Sequence, residues 1–160
     1  MRGFELGKVL LLFIAISLTH GLLLAPMASA SLGSDVASVY GDVQHVSGNV
    51  QAISSEHYSV YEVRIPTGTL VREFISPSGV VFAVAWQGPF VPELQQFLGA
   101  YFQKFKDALH TQKSPSFSRR SVSVRLNDLV FENSGHVGAF YGRAYLPQAV
   151  PQGVAIAEIH

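Results

Sequence analysis

The 160-residue chain contains no cysteine. That excludes a disulfide framework and a thiolate metal site, and it leaves no thiol to carry a lipid. Net charge is also missing, with 11 Lys and Arg against 11 Asp and Glu. Nucleic-acid binders usually carry a net basic domain, so the neutral total speaks against that class of partner. Catalytic signatures are absent as well: there is no G-x-S-x-G elbow, S-x-x-K pair, Walker loop or dinucleotide-binding glycine run. His45, His57, His110, His136 and His160 include no pair at i, i+3 or i, i+4, the spacings that aim two imidazoles at one metal from a helix. No catalytic residue, metal or cofactor is assigned.

Long apolar runs are scarce too, and the one present lies at the start. A basic region (Arg2, Lys8) precedes the run Val9 to Ala25, and Ala28, Ser29 and Ala30 follow it. The run is interrupted by Thr19, His20 and Gly21 and falls short of the roughly 20 apolar residues that span a bilayer. Residues 1–30 therefore read as a signal peptide cleaved after Ala30. The expected location is the periplasm or the extracellular space, with membrane contact only through the signal segment. Residues 31–160 read as a single domain, a size at which roughly two-thirds of the unfolded surface is buried.

Charge is unevenly placed along that domain. Between Ser31 and Ala100 six acids (Asp35, Asp42, Glu56, Glu62, Glu73, Glu93) face two bases, Arg64 and Arg72. Between Lys104 and Arg125 the balance reverses, with Lys104, Lys106, Lys113, Arg119, Arg120 and Arg125 against Asp107. This basic stretch is a candidate contact surface for an anionic partner.

Periodicity supplies the elements. Val36, Val39, Tyr40, Val43 and Val46 fall at helical spacing, with Ser34 as a candidate cap. Ser54 to His57 reads as a polar connection. Tyr58 to Ile65 alternates apolar and charged residues as a half-buried strand does. Thr69 to Ile75 is a second strand, and Ser76 to Gly79 has the residues of a type I turn. Val80 to Trp86 is apolar throughout, as expected of a central strand buried on both faces. Pro92 suits a first helical position. Leu94, Phe97, Leu98, Tyr101, Phe102, Phe105 and Leu109 then form the apolar stripe of a long helix. Val122, Val124 and Leu126 alternate with Ser123 and Arg125. Leu129 to Phe131 follows, Asn133 to Gly135 reads as a turn, and Val137 to Leu146 reads as the last strand. The tail from Pro147 has no assignable state.

Helix, three strands, helix, three strands is an α+β order. The expected architecture is an antiparallel sheet of about six strands with two helices packed on one face, as two α-β-β-β units would build.

Glu56, Glu62 and Glu73 could serve as acid and base, but beside Arg64 and Arg72 they read as cross-strand ion pairs on a wet face. Trp86 and Phe90 place large aromatics at a strand-to-helix corner, and Tyr141, Arg143 and Tyr145 share one strand face, a combination found at binding surfaces. With Lys113, Arg119 and Arg120 of the basic stretch, these are the candidate binding residues.

The run IPTGTLVREFISPSGVVFAVAWQGPFVPELQQFLGAYF, and above all Arg72 to Pro92 within it, resembles the exported bacterial family catalogued as domain of unknown function 2844. GRAYLP late in the chain adds to the likeness. The resemblance implies a signal peptide and a small single domain, and it carries no activity, cofactor or catalytic residue. The functional expectation is a non-enzymatic exported domain that binds a protein or an anionic envelope polymer. Two alternatives stand beside it: a small hydrolase with a Glu/His site (Glu62, His57) near Trp86 and Tyr141, and a small-molecule carrier with a pocket between helix and sheet.

Overall fold

A computed structural model describes residues 32–35, 51–111 and 121–160. Its strands are β1 (Gln51–Ser54), β2 (Ser59–Arg64), β3 (Leu70–Ile75), β4 (Val81–Gly88), β5 (Ser121–Arg125), β6 (Val130–His136) and β7 (Ala139–Tyr145). They form one sheet in the order β1-β2-β3-β4-β7-β6-β5. Every neighbouring pair is antiparallel. The chain meanders through four strands, crosses to the far edge and meanders back, so that β7 meets β4 at the centre.

This corrects the expected architecture. There are seven strands rather than about six, the described residues hold one helical stretch rather than two helices, and the class is mostly β. The extra strand is β1. Its sequence QAIS has too few apolar residues to show a pattern, and its pairing comes from a tight turn in which Ser55 N–H donates to the Tyr58 carbonyl at 2.8 Å. The helix expected over Val36 to Val46 lies outside the described residues. Ser34, its expected cap, instead accepts from the Val81 N–H at 3.0 Å and lies beside an isolated Asp35–Val80 bridge.

The helical stretch comprises α1 (Leu94–Leu98), a 3₁₀ turn at Gly99–Tyr101 and α2 (Phe102–Thr111). Glu93 is the N-cap, its carboxylate accepting from the Gln95 N–H at 3.4 Å, so Pro92 stands just before the helix rather than in its first turn. At Gly99 φ is 51°, a left-handed value that glycine adopts without steric cost, and the axis is re-set there. All seven stripe residues belong to or pack on the core cluster between helix and sheet, which also holds Val71, Val84, Trp86, Val124, Phe131 and Ala144. Phe105 and Phe131 meet at a centroid distance of 4.4 Å, and Trp86 lies 5.5 Å from Phe131.

β4 is buried on both faces, as its unbroken apolar run implies. Val84 and Trp86 point to the helix, while Phe82, Ala83 and Ala85 point away. Phe74 pairs with Ala83 and Ile75 with Val81, so a bulge at Phe82 sends two successive side chains to the same side. That second side is covered by the tail. Ala149, Val150, Val154, Ile156 and Ile159 pack over Val60, Phe74, Phe82, Ala83, Ala85, Val130 and Tyr145. The segment without an assignable state in the sequence is thus a strap replacing the helix layer on that face. Its turns are closed by Ala149 N–H to Leu146 O at 2.9 Å and Val154 N–H to Pro151 O at 3.2 Å.

Candidate ligand-binding groove

β7 organises the site because its alternate residues set up two cross-strand rows on the strap face. Arg143 pairs with Ala85 of β4 and Glu132 of β6, and Glu132 pairs with Ser123 of β5. Across β4, Ala85 pairs with Arg72 of β3, which pairs with Glu62 of β2. The row reads Ser123, Glu132, Arg143, Ala85, Arg72, Glu62, with an arginine and its carboxylate on either side of a small central alanine. The strap end occupies that gap. Arg143 Nε donates to Glu132 Oε2 at 2.9 Å, and its Nη1 donates to the carbonyls of Ile156 at 2.8 Å and Ile159 at 3.2 Å. Arg72 Nε donates to Glu62 Oε1 at 2.6 Å, and its Nη1 to the His160 carbonyl at 2.9 Å. Each carboxylate aims a guanidinium fork, whose other arm grips the strap through its backbone.

A third tie closes the strap. The Tyr58 hydroxyl donates to Glu158 Oε2 at 2.9 Å, and Glu158 Oε1 accepts from the Ala155 N–H at 2.9 Å. These two donors, the backbone one first, hold the Glu158 carboxyl below the usual carboxylate range. Burial, then the Glu158 carboxylate, pushes the Tyr58 phenol above its ordinary value.

Beside the strap, on the same face toward β5, lies a groove of about 610 Å³. Gln87, Tyr141, Ser134 and Ser121 pair in series across β4, β7, β6 and β5 along one side of it. Ser123, Glu132 and Arg143 form the next row, and Ile159 and His160 form the strap-side wall. At the rim Arg125 pairs with Glu132 Oε1 while Arg143 holds Oε2, so one carboxylate is shared by two guanidinium groups. Tyr141 is 60% exposed.

Of the residues singled out in the sequence, Tyr141 and Arg143 meet in the groove. Trp86 contributes to the floor, but its indole lies on the helix face, donating from Nε1 to Asn133 Oδ1 at 3.0 Å across Gly142. A Cβ on Gly142 would lie 2.5 Å from that ring. Tyr145 is buried beneath the strap, with Arg143 5.9 Å from its ring centroid. Phe90 is 55% exposed, its backbone clamped by the buried Thr69, whose hydroxyl donates to the Phe90 carbonyl at 2.7 Å. Lys113, Arg119 and Arg120 lie outside the described residues. Of the acids, Glu62 forms the cross-strand pair with Arg72, whereas Glu73 is buried on the helix face rather than on a wet one. His57 lies against Gly153, with its Nε2 3.1 Å from where a Cβ on that glycine would stand. Among the described residues no three His, Asp or Glu side chains converge as a metal site, and no helix is long and apolar enough to cross a membrane.

Gln87, Glu132 and the three serines were not singled out in the sequence. Asn133 to Gly135 reads as a turn but lies inside β6, and the turn is at Val137 and Gly138, where Gly138 takes a φ of 91°. Reading a turn there hides Ser134 and its partners. The alternation of Ser121, Ser123 and Arg125 with valines was the available signal, since it puts three polar side chains on one face of an edge strand.

The fold and site define a class: a seven-stranded, mostly β domain with a helix packed on one face and its own tail on the other, beside a groove lined by both polar and apolar groups. The chain belongs to the family described as Protein of unknown function (DUF2844), which matches residues 28–159. No curated protein and no solved structure matches it.

Proposed function

We propose that this protein is an exported, non-enzymatic binding domain and that its ligand lies in the groove beside the strap. The observation that carries the reading is the groove on the strap face. A central sheet face is normally covered, and among the described residues the strap packs over Val60, Phe74, Phe82 and Tyr145 while the groove beside it continues across β7, β6 and β5 to the sheet edge. A ligand longer than the groove could leave it over β5, which suits a polymer chain or an extended segment. Polar groups converging on a concave surface fix ligand orientation. Export rests on the signal-like first 30 residues. N-terminal sequencing of the secreted chain should begin at Ser31.

Envelope extract added to isotope-labelled protein should move the amide signals of Gln87, Ser123, Ser134 and Tyr141. Ser134→Trp, which fills the groove from β6, should abolish that response. An unchanged response in the filled variant would overturn the assignment of the site.

The space between helix and sheet, where a carrier pocket was expected, is filled by Trp86, Phe105 and Phe131. A small-molecule reading therefore moves to the same groove, whose volume of about 610 Å³ lies within the usual range for such sites.

A further inference from the structure

We propose that the groove is built for an acidic oligosaccharide, in which a sugar ring lies on Tyr141 and a ring carboxylate is held at Arg125. The inference rests on the groove being the binding site and adds the chemical class of the occupant.

Charge is the first argument. Among the described residues lining the groove, Glu132 is the one side-chain carboxylate, and it is shared by Arg125 and Arg143, so the side chains at that end carry two positive charges to one negative. The surplus lies outward, because the Arg125 side chain is 66% exposed and that of Glu132 24%. Arg143 is already committed to Glu132 and to two strap carbonyls, so it is held in place without the ligand. Arg125 meets Glu132 through Nη2, and its exposed guanidinium suits a planar carboxylate, which a fork of N–H donors meets edge-on.

Shape and polarity are the second argument. Tyr141 presents a large flat ring to solvent from the middle of a strand, and among the described residues no aromatic ring contact covers it. An aromatic ring with a polar tip accepts a ligand that has one apolar face and a hydrogen-bonding rim. A pyranose has that form, with C–H groups on its face and hydroxyls around its edge. The edge partners would be uncharged polar groups: Ser134 lies directly across from Tyr141 on one side, Gln87 on the other, and Ser123 in the next row. The two serines are small and leave space above β5 and β6 that long side chains would fill. Alternate residues on a strand stand about 6.8 Å apart. Tyr141 and Arg143 are thus separated by about one sugar unit, and Arg125 shares Glu132 with Arg143, so ring and carboxylate can come from the same or adjoining residues of a chain. Inorganic phosphate would satisfy Arg125 but leave the Tyr141 face unused, and an acidic peptide would lack the flat ring.

The test titrates protein expressed from the full sequence with tri-galacturonate, the matched neutral trimer maltotriose, inorganic phosphate and a tri-glutamate peptide, at low and physiological salt. Tri-galacturonate should bind at least tenfold tighter than each of the others and weaken as salt rises. Arg125→Gln should reduce that preference at least tenfold, Arg125→Lys should restore part of it, and Tyr141→Ala should weaken galacturonate without creating a preference for phosphate. Equal binding of maltotriose, or competition by phosphate or peptide at equal concentration, would overturn the acidic-sugar class. If Ser134→Trp still abolished the response to envelope extract, the groove would stand as the site while its occupant changed. If the filled variant responded normally and bound galacturonate unchanged, both readings would fall.

Discussion

Gly142 has no room for a side chain. A Cβ would lie 2.5 Å from the Trp86 ring and 2.6 Å from the Glu132 carbonyl, and both are fixed by the sheet and the core. Gly142→Ala should therefore destabilise the fold by about 1–3 kcal/mol or more, as overpacking does, and shift the urea midpoint accordingly. Arg143 shows the opposite kind of dependence, on a side chain that cannot be replaced by one of equal charge. Its fork holds Glu132 with one edge and two strap carbonyls with the other. Lysine keeps the charge but not the fork, so Arg143→Lys should lose about half of what Arg143→Ala loses, itself about 2–4 kcal/mol because Glu132 and the strap carbonyls forfeit a charged donor. Equal stability of the Lys and wild-type proteins in chemical denaturation would show that charge alone suffices. In the sequence Arg143 stood out for sharing a face with Tyr141 and Tyr145. Its clamp on the strap depends on residues 13 and 16 positions away, which no local pattern connects.

At the scale of elements, the helix was the most legible part and the strap the least. The helix declares itself because seven apolar residues at helical spacing have one explanation, and all seven do face the sheet. The strap has no period to read. It is a series of turns around Pro147 and Pro151 with apolar residues wherever the curved path touches the sheet, and its fixation comes from arginines on β3 and β7. The second helix was expected from the helical spacing of Val36 to Val46, and with both helices on one face that reading left the strap face without a cover. The Glu158 tie makes the strap's docking depend on pH. Its carboxyl is held below the usual range in the folded state, so its contribution is present above about pH 4.3 and is lost as the carboxylate protonates below that. Tyr58 has its value raised, so its contribution is present below about pH 10 and is lost as pH rises through the folded value. Hydrogen exchange of the Ala155, Glu158 and Ile159 amides should accelerate at both extremes before the β4 amides do. Glu158→Gln should remove the acid limb of that profile.

At the scale of the whole molecule, the centre of the sheet was legible and its edges were not. VVFAVAW has to lie between two covered faces, and β4 is the fourth of seven strands, with Val81 to Ala85 at most 1% exposed. β1 escaped notice because a four-residue edge strand needs little apolar surface, and the second meander was placed in the wrong register by a turn signal inside β6. Those are the errors that hid the groove, since its walls are pairings between strands and not motifs within one. A sheet with one face packed under aromatics and the other carrying a groove should respond asymmetrically to change. Phe105→Ala, which removes the ring stacked on Phe131, should cost about 3–5 kcal/mol in urea unfolding. Ser123→Ala in the groove should stay within about 0.5 kcal/mol.

The central claim is that ligand occupies the groove beside the strap, and amide chemical-shift mapping during titration with tri-galacturonate tests it most directly. The account predicts saturable shifts concentrated at Gln87, Ser123, Glu132, Ser134 and Tyr141, with the helix amides Gln103 and Lys106 unmoved. Shifts centred on the helix, or none at saturating sugar and none with envelope extract, would contradict it.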